Sequence, residues 1–124
     1  MLQLKSPPSI LIVEPNQNLA RPYSFLPTEA KVARLSNSIA AATLLKEQNF
    51  DLVFLSCSFS AKKLLHFLDE LKAASKTAIV PLVFVVDLSK PFSIIPGLTW
   101  DKNLCLLSSN STARELELAL SRLL

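Results

Sequence analysis

The sequence has few of the features that mark secreted or membrane-spanning proteins. Only two of its 124 residues are cysteine, Cys57 and Cys105. Both follow or sit within apolar runs, where a free thiol usually behaves as a small buried side chain. No apolar run reaches the roughly 20 residues that cross a bilayer, and residues 1–8 lack the apolar core of a secretion signal. We expect a cytoplasmic protein without a disulfide or a membrane anchor.

Charge, histidine and glycine are also scarce. Charged residues make up 19% of the chain, and its 13 Lys and Arg are scattered, whereas nucleic-acid binding requires a basic patch. The single histidine, His66, lies in a helical pattern without the further residues that a catalytic or metal site would need, so it is interpreted as a helix-surface residue. The loop that begins at Glu14 lacks the glycines of a flavin-phosphate site, since the only glycine is Gly97. We expect no nucleic-acid partner, no metal, no cofactor and no enzymatic activity.

The chain is rich in hydrophobic residues, which make up 50% of it. A chain of 124 residues fits one domain that buries roughly two-thirds of the surface of its unfolded form. We predict a single domain over 1–124, with an ordered core over about 9–124 after a proline-containing leader over 1–8.

Short apolar runs predict five strands. The stretch Asp51–Ser58 contains four consecutive large apolar residues and reads as a central strand that is buried on both faces. The runs at Ser9–Val13, Ile79–Val86 and Leu104–Leu107 have the same character. Lys31–Leu35 alternates polar and apolar residues, which is typical of an edge strand.

Helical spacing and capping residues predict helices between the strands. Ser38 is expected to cap a helix whose buried stripe is Ile39, Ala42 and Leu45, with Leu44 as an optional fourth position. Ser58 or Ser60 is expected to cap the next helix. The buried stripe of that second helix is expected to be Leu64, Phe67 or Leu68, and Leu71.

The remaining segments are a closing helix and two proline-containing connections. Thr112–Glu115 has the spacing of a capping box and opens a helix with a stripe of Leu116, Leu120 and Leu123. Pro22 allows only a short or kinked helix after the first strand, and the prolines within 87–103 allow at most a short one there. The alternation predicts an α/β fold: a three-layer α/β/α sandwich around a five-stranded parallel sheet of order 2-1-3-4-5, flavodoxin-like, with the fourth helix short or absent.

The strand sequences resemble those of a known family. Residues 10–14, Ile-Leu-Ile-Val-Glu, and the strand from Asp51 to Leu55 are similar to the first and third strands of the receiver domain of bacterial response regulators, the CheY-like family. Residues 81–86 are similar to its fourth strand, and the resemblance covers essentially the whole chain.

The resemblance also implies where the family's chemistry would lie. In that family two acidic residues after strand one hold Mg²⁺, and an aspartate that ends strand three accepts a phosphoryl group. A Ser or Thr ends strand four and a Lys ends strand five. The corresponding positions here are Glu14, Pro15, Ser56, Val86 and Ser108, or Ser109 if the last loop is shifted by one.

A receiver domain with these replacements is predicted to be a degenerate pseudo-receiver, because phosphoryl transfer depends on metal and positive charge. Glu14 is interpreted as a solvated carboxylate, with metal binding beside Asp87 as the alternative. Ser56, Ser58 and Ser60 are interpreted as loop and helix-capping residues, with phosphorylation as the alternative.

The predicted function is signal transduction through protein contacts, as in two-component signalling, with another signalling protein or a second copy of the chain as partner. The alternative is a small-molecule sensory domain that uses a crevice made apolar by Pro15 and Val86. Phe92 and Trp100 either pin their connection to the core or form part of a contact surface.

Overall fold

The computed structural model describes residues 8–15, 23, 26, 29–56, 58–74, 80–86, 104–108 and 110–123. Its elements in chain order are β1 (Ser9–Val13), β2 (Lys31–Leu35), α1 (Ser38–Glu47), β3 (Leu52–Ser56), α2 (Ala61–Ala74), β4 (Leu82–Val86), β5 (Leu104–Ser108) and α3 (Ala113–Leu123).

The five strands form one sheet in the order β2-β1-β3-β4-β5, and every neighbouring pair is parallel. This confirms the predicted flavodoxin-like order. All five residues of β3 are buried, since β3 lies at the centre of the sheet between β1 and β4. β2 lies at one edge, and exposed and half-buried residues alternate from Val32 to Leu35, as expected there.

Two apolar layers cover the two faces of the sheet, because successive side chains of a strand point to opposite faces. One layer packs α1 and α2 against alternate strand residues such as Leu11, Val53 and Phe84. The other packs α3 against the intervening residues, among them Ile12 and Phe54. The result is the predicted three-layer sandwich.

The amino edge of the sheet is joined by polar contacts between β1 and the residue before β3. The backbone N–H of Ser9 donates to Oδ2 of Asp51 at 2.8 Å, and the N–H of Asp51 donates to the carbonyl of Ser9 at 2.7 Å. These reciprocal bonds fix the register of the two strands at the edge opposite the predicted pocket.

The predicted start of α1 is wrong by one residue. Asn37 is the N-cap, and its Oδ1 accepts hydrogen bonds from the N–H groups of Ile39 at 2.8 Å and Ala40 at 3.2 Å. Ser38 is therefore the first helical residue and is buried. Ile39, which was expected in the buried stripe, is 62% exposed, because it lies about 100° round the helix from Ser38. Ala41 is buried instead.

Two strand predictions also need correction. β4 begins at Leu82 and not at Ile79; Pro81 has no N–H for the ladder and contributes only its carbonyl, which accepts from Val53. β5 lies at the edge that the predicted order gives it, but it is not buried on both faces, since its Leu106 is 50% exposed.

The other two helix starts are confirmed. The Oγ of Ser60 accepts from the N–H of Lys63 at 3.4 Å, so Ser60, and not Ser58, caps α2. The predicted stripe of α2 is buried at all four of its positions, which are Leu64, Phe67, Leu68 and Leu71.

At α3, the side chains of Thr112 and Glu115 bond reciprocally to each other's N–H groups at 3.2 and 3.1 Å, as a capping box does. Leu116 and Leu120 are buried.

Some predictions lie outside the described residues. They concern the connection over 87–103 and most of the segment that follows β1. Within the parts of the chain that the structure describes, no helix combines the length and the apolar character needed to cross a bilayer.

Candidate functional site

The carboxyl ends of the parallel strands meet at one edge of the sheet. Ser56 is the last residue of β3 and pairs with Val85, while Val86 and Ser108 end β4 and β5 and pair with each other. Glu14 and Pro15 follow β1 directly, whose last residue pairs with Leu55. The structure thus places all five predicted pocket positions at the same edge.

The alternation of side chains divides these residues between the two faces of the sheet. Ser56 follows Phe54 by two positions and so lies on the face that α3 covers. Val86 belongs to the opposite layer, with α1 and α2. Ser108 follows Leu107, which faces α3, and so lies on the same face as Val86.

Glu14 is held by contacts on both its backbone and its side chain. Its N–H donates to the carbonyl of Leu35 on β2 at 3.0 Å. Its Oε2 accepts a hydrogen bond from the hydroxyl of Tyr23 at 3.5 Å. The carboxylate is half-buried and lies on the α3 face, so the interpretation of Glu14 as a freely solvated side chain is incomplete.

Tyr23 is the residue of this edge that sequence reasoning missed. It is 2% exposed, and its ring meets that of Phe54 edge-on, with centroids 5.4 Å apart and an interplanar angle of 88°. Such a contact stabilises a buried aromatic pair by about 0.5–1.5 kcal/mol beyond its area. The signal that could have found it is that Tyr23 is the only tyrosine of an otherwise Phe-rich chain, because a buried tyrosine needs a polar partner for its hydroxyl.

Ser56 is the residue that the sequence resemblance aligns with the family's phospho-acceptor. It is 2% exposed, and its Oγ accepts a hydrogen bond from the N–H of Ser58 at 3.2 Å. A serine nucleophile needs a base to take its proton and a path for the reacting group. Among the described residues, the hydrogen-bond partner of this hydroxyl is a backbone donor. The hydroxyl of Ser56 therefore stabilises the turn after β3.

Ser108, one of the two residues that the sequence resemblance aligns with the family's lysine, has a similar local role. Its Oγ accepts from the N–H of Asn110 at 3.1 Å, and its carbonyl accepts from the N–H of Ser111 at 3.0 Å. The side chain carries no charge and shapes the turn that leads into α3.

Val86 and Pro15 were predicted to make the crevice more apolar. Val86 is 1% exposed and packs in the layer of α1 and α2, so it adds almost nothing to an accessible wall. Pro15 is half-buried. The small-molecule alternative therefore rests on Pro15 alone among the described residues at this edge.

The remaining predicted residues fall outside the described ranges or stand apart from this edge. Asp87, Phe92, Trp100, Cys57 and Ser109 are not among the described residues. Within the described ranges, no group of three or more His, Cys, Asp and Glu side chains lies close enough together to hold a metal ion.

The two other residues singled out from the sequence are described and lie elsewhere. His66 is on the surface of α2, where its Nε2 lies 3.8 Å from Oε1 of Glu70. Cys105 is a free, half-buried thiol on β5.

Comparison with known proteins adds information about the fold. No family model and no curated protein matches the sequence. A CheY-like response regulator receiver domain from Methylobacillus flagellatus superposes with a TM-score of 0.73 at 18% identity, over 96% of this chain and 100% of that one. The chain has the receiver-domain fold.

A second structure agrees. The N-terminal domain of a response regulator/sensory box/GGDEF 3-domain protein from Carboxydothermus hydrogenoformans superposes with a TM-score of 0.68 at 18% identity, over 91% of this chain and 90% of that one. In the receiver fold of the present chain, Ser56, Val86 and Ser108 each end a strand, as the sequence resemblance predicts.

Proposed function

We propose that this chain is a signalling module of the response-regulator type that works in the cytoplasm through protein contacts, without accepting a phosphoryl group. The observation that carries the proposal is the state of Ser56. The residue at the end of the central strand is neutral, 2% exposed and already hydrogen-bonded to the Ser58 N–H.

The chemistry of phosphoryl transfer supports the same reading. The reaction proceeds when a metal ion and cationic groups stabilise the charge on the transferring phosphoryl oxygens. Here the resemblance assigns metal binding to the position of Pro15 and the positive charge to that of Ser108, and neither side chain carries a charge. Val86 has no hydroxyl where the family has Ser or Thr. Glu14 is the one acidic residue of the five, and its carboxylate already accepts from Tyr23.

The test is phosphorylation by a small phosphodonor. The chain is incubated with acetyl phosphate and Mg²⁺, and intact-mass spectrometry measures the phosphorylated fraction, with an aspartate-bearing receiver domain as the positive control. We expect no added phosphoryl group on this chain under conditions that label the control. Labelling that disappears in Ser56→Ala and persists in Ser58→Ala would contradict the proposal, because Ser58 is an exposed serine two residues away.

A further inference from the structure

The two edges of the sheet differ in how they are protected against pairing with another strand. β2 carries Lys31 and Arg34, both exposed. Charged side chains on an edge strand discourage pairing with a further chain. β5 reads Leu-Cys-Leu-Leu-Ser and contains no charged residue, no proline and no glycine. Its inner side pairs with β4, and none of the described strands pairs with its outer side.

Leu106 makes the unprotected edge apolar as well. It is the central residue of β5 and is 50% exposed, although its neighbour Leu107 is 7% exposed. Among the described strands, none covers the outer side of β5, and Leu106 is exposed on it. A further strand can cover such a surface, because strand addition satisfies the backbone and buries the side chain together.

We propose that the outer edge of β5 pairs with β5 of a second copy of this chain, in an antiparallel register centred on Leu106. A two-fold axis at that position places Leu106 opposite Leu106 of the second copy, and Cys105 opposite Leu107 of the second copy. Opposite residues of an antiparallel pair share a face. The half-buried Cys105 then extends the α3-side core, and the two exposed leucines cover each other.

Charge and symmetry favour a second copy over an unrelated strand. Because β5 carries no charge, the two-fold axis brings no like charges opposite each other. A two-fold contact uses the same surface on both copies and therefore closes at a dimer. The charged β2 edges lie at the two outer ends of the joined sheet, where Lys31 and Arg34 oppose further growth.

The pairing rests on the proposed function, in which the chain acts through protein contacts, and it identifies the partner as a second copy of the chain. Whether the chain accepts a phosphoryl group does not affect the pairing. Five residues on each side make a small interface. Small interfaces, below about 1,200 Å² in total, belong to weak and transient complexes. We therefore expect a dimer that dissociates on dilution.

Sedimentation of the full chain across a concentration series tests the proposal. We expect Leu106→Lys to be monomeric, because the two-fold axis brings its two like charges together. Leu118→Lys is the matched control: Leu118 is 55% exposed on α3 and lies outside β5, so this variant should dimerise as the parent does. Mixing Leu106→Lys with Leu106→Glu should restore dimers by placing opposite charges across the axis.

Three outcomes would overturn the pairing: a parent chain that is monomeric at every concentration, a Leu106→Lys variant that still dimerises, or a Leu118→Lys variant that does not. Circular dichroism of each variant separates loss of pairing from loss of folding. Acetyl phosphate labelling of the parent chain is measured separately, so failure of the pairing and failure of the proposed function give different results.

Discussion

Replacing either of two buried serines with alanine should change the free energy of unfolding, but in opposite directions. Ser56 and Ser111 are each 2% exposed. The Oγ of Ser56 accepts from the Ser58 N–H, whereas the buried Oγ of Ser111 has no hydrogen-bond partner among the residues that the structure describes. An unpaired buried polar group costs about 1–3 kcal/mol, while a typical hydrogen bond contributes about 0.5–1.5 kcal/mol net.

The Ser111→Ala variant removes the unpaired hydroxyl, so we expect the free energy of unfolding to rise by about 1 kcal/mol. The Ser56→Ala variant removes a made hydrogen bond, and we expect a fall of about 1 kcal/mol. Near 60 °C the unfolding entropy is about 2.1 cal/mol/K per residue. For 124 residues each change then corresponds to about 4 °C in Tm.

Urea titrations followed by far-UV circular dichroism measure both changes, and an unchanged m-value shows that the unfolded states are comparable. The two variants should differ by about 2 kcal/mol in unfolding free energy. If Ser111→Ala is destabilised as much as Ser56→Ala, the Ser111 hydroxyl has a partner and the reasoning fails.

Two further predictions concern Tyr23 and the start of α3. Tyr23→Phe keeps the edge-on contact with Phe54 but loses the hydroxyl that donates to Glu14, so its unfolding free energy in urea titrations should fall by less than about 1.5 kcal/mol. Tyr23→Ala also removes the ring and should lower the unfolding free energy by about 3–5 kcal/mol. Equal losses in the two variants would show that the ring contributes little to stability. Thr112→Ala breaks the capping box with Glu115 and should lower the unfolding free energy by about 1 kcal/mol. Thr112→Ser keeps a hydroxyl at this position and should retain most of the parent's stability. Equal melting temperatures of the two variants would contradict the capping role of Thr112.

The sheet could be predicted from the sequence because its strands are short apolar runs separated by helical patterns. The same signal misjudged β5. Leu104–Leu107 is as apolar as the runs that form β1 and β3, but its position at the end of the strand order leaves Leu106 half exposed. Periodicity reports how apolar a strand is, and only the strand order decides how much of it is covered.

The errors at α1 and at the pocket have different physical sources. Asn37 and Ser38 are adjacent and both are good capping residues, so local preference could not choose between them. The strand-end positions of Ser56, Val86 and Ser108 followed from element boundaries and were predictable. The contact between Tyr23 and Glu14 was not, because it depends on the path of the proline-containing segment that joins them.

The position of β1 in the strand order affects the chain during its synthesis. Ser9–Val13 is synthesised before both of its neighbours, β2 and β3. At translation rates of about 5–20 residues per second, about 2–8 s pass between the synthesis of Val13 and that of Leu52. Throughout that interval a nascent apolar strand lacks its central neighbour, so the ribosome-bound chain is most exposed to misassociation before β3 emerges.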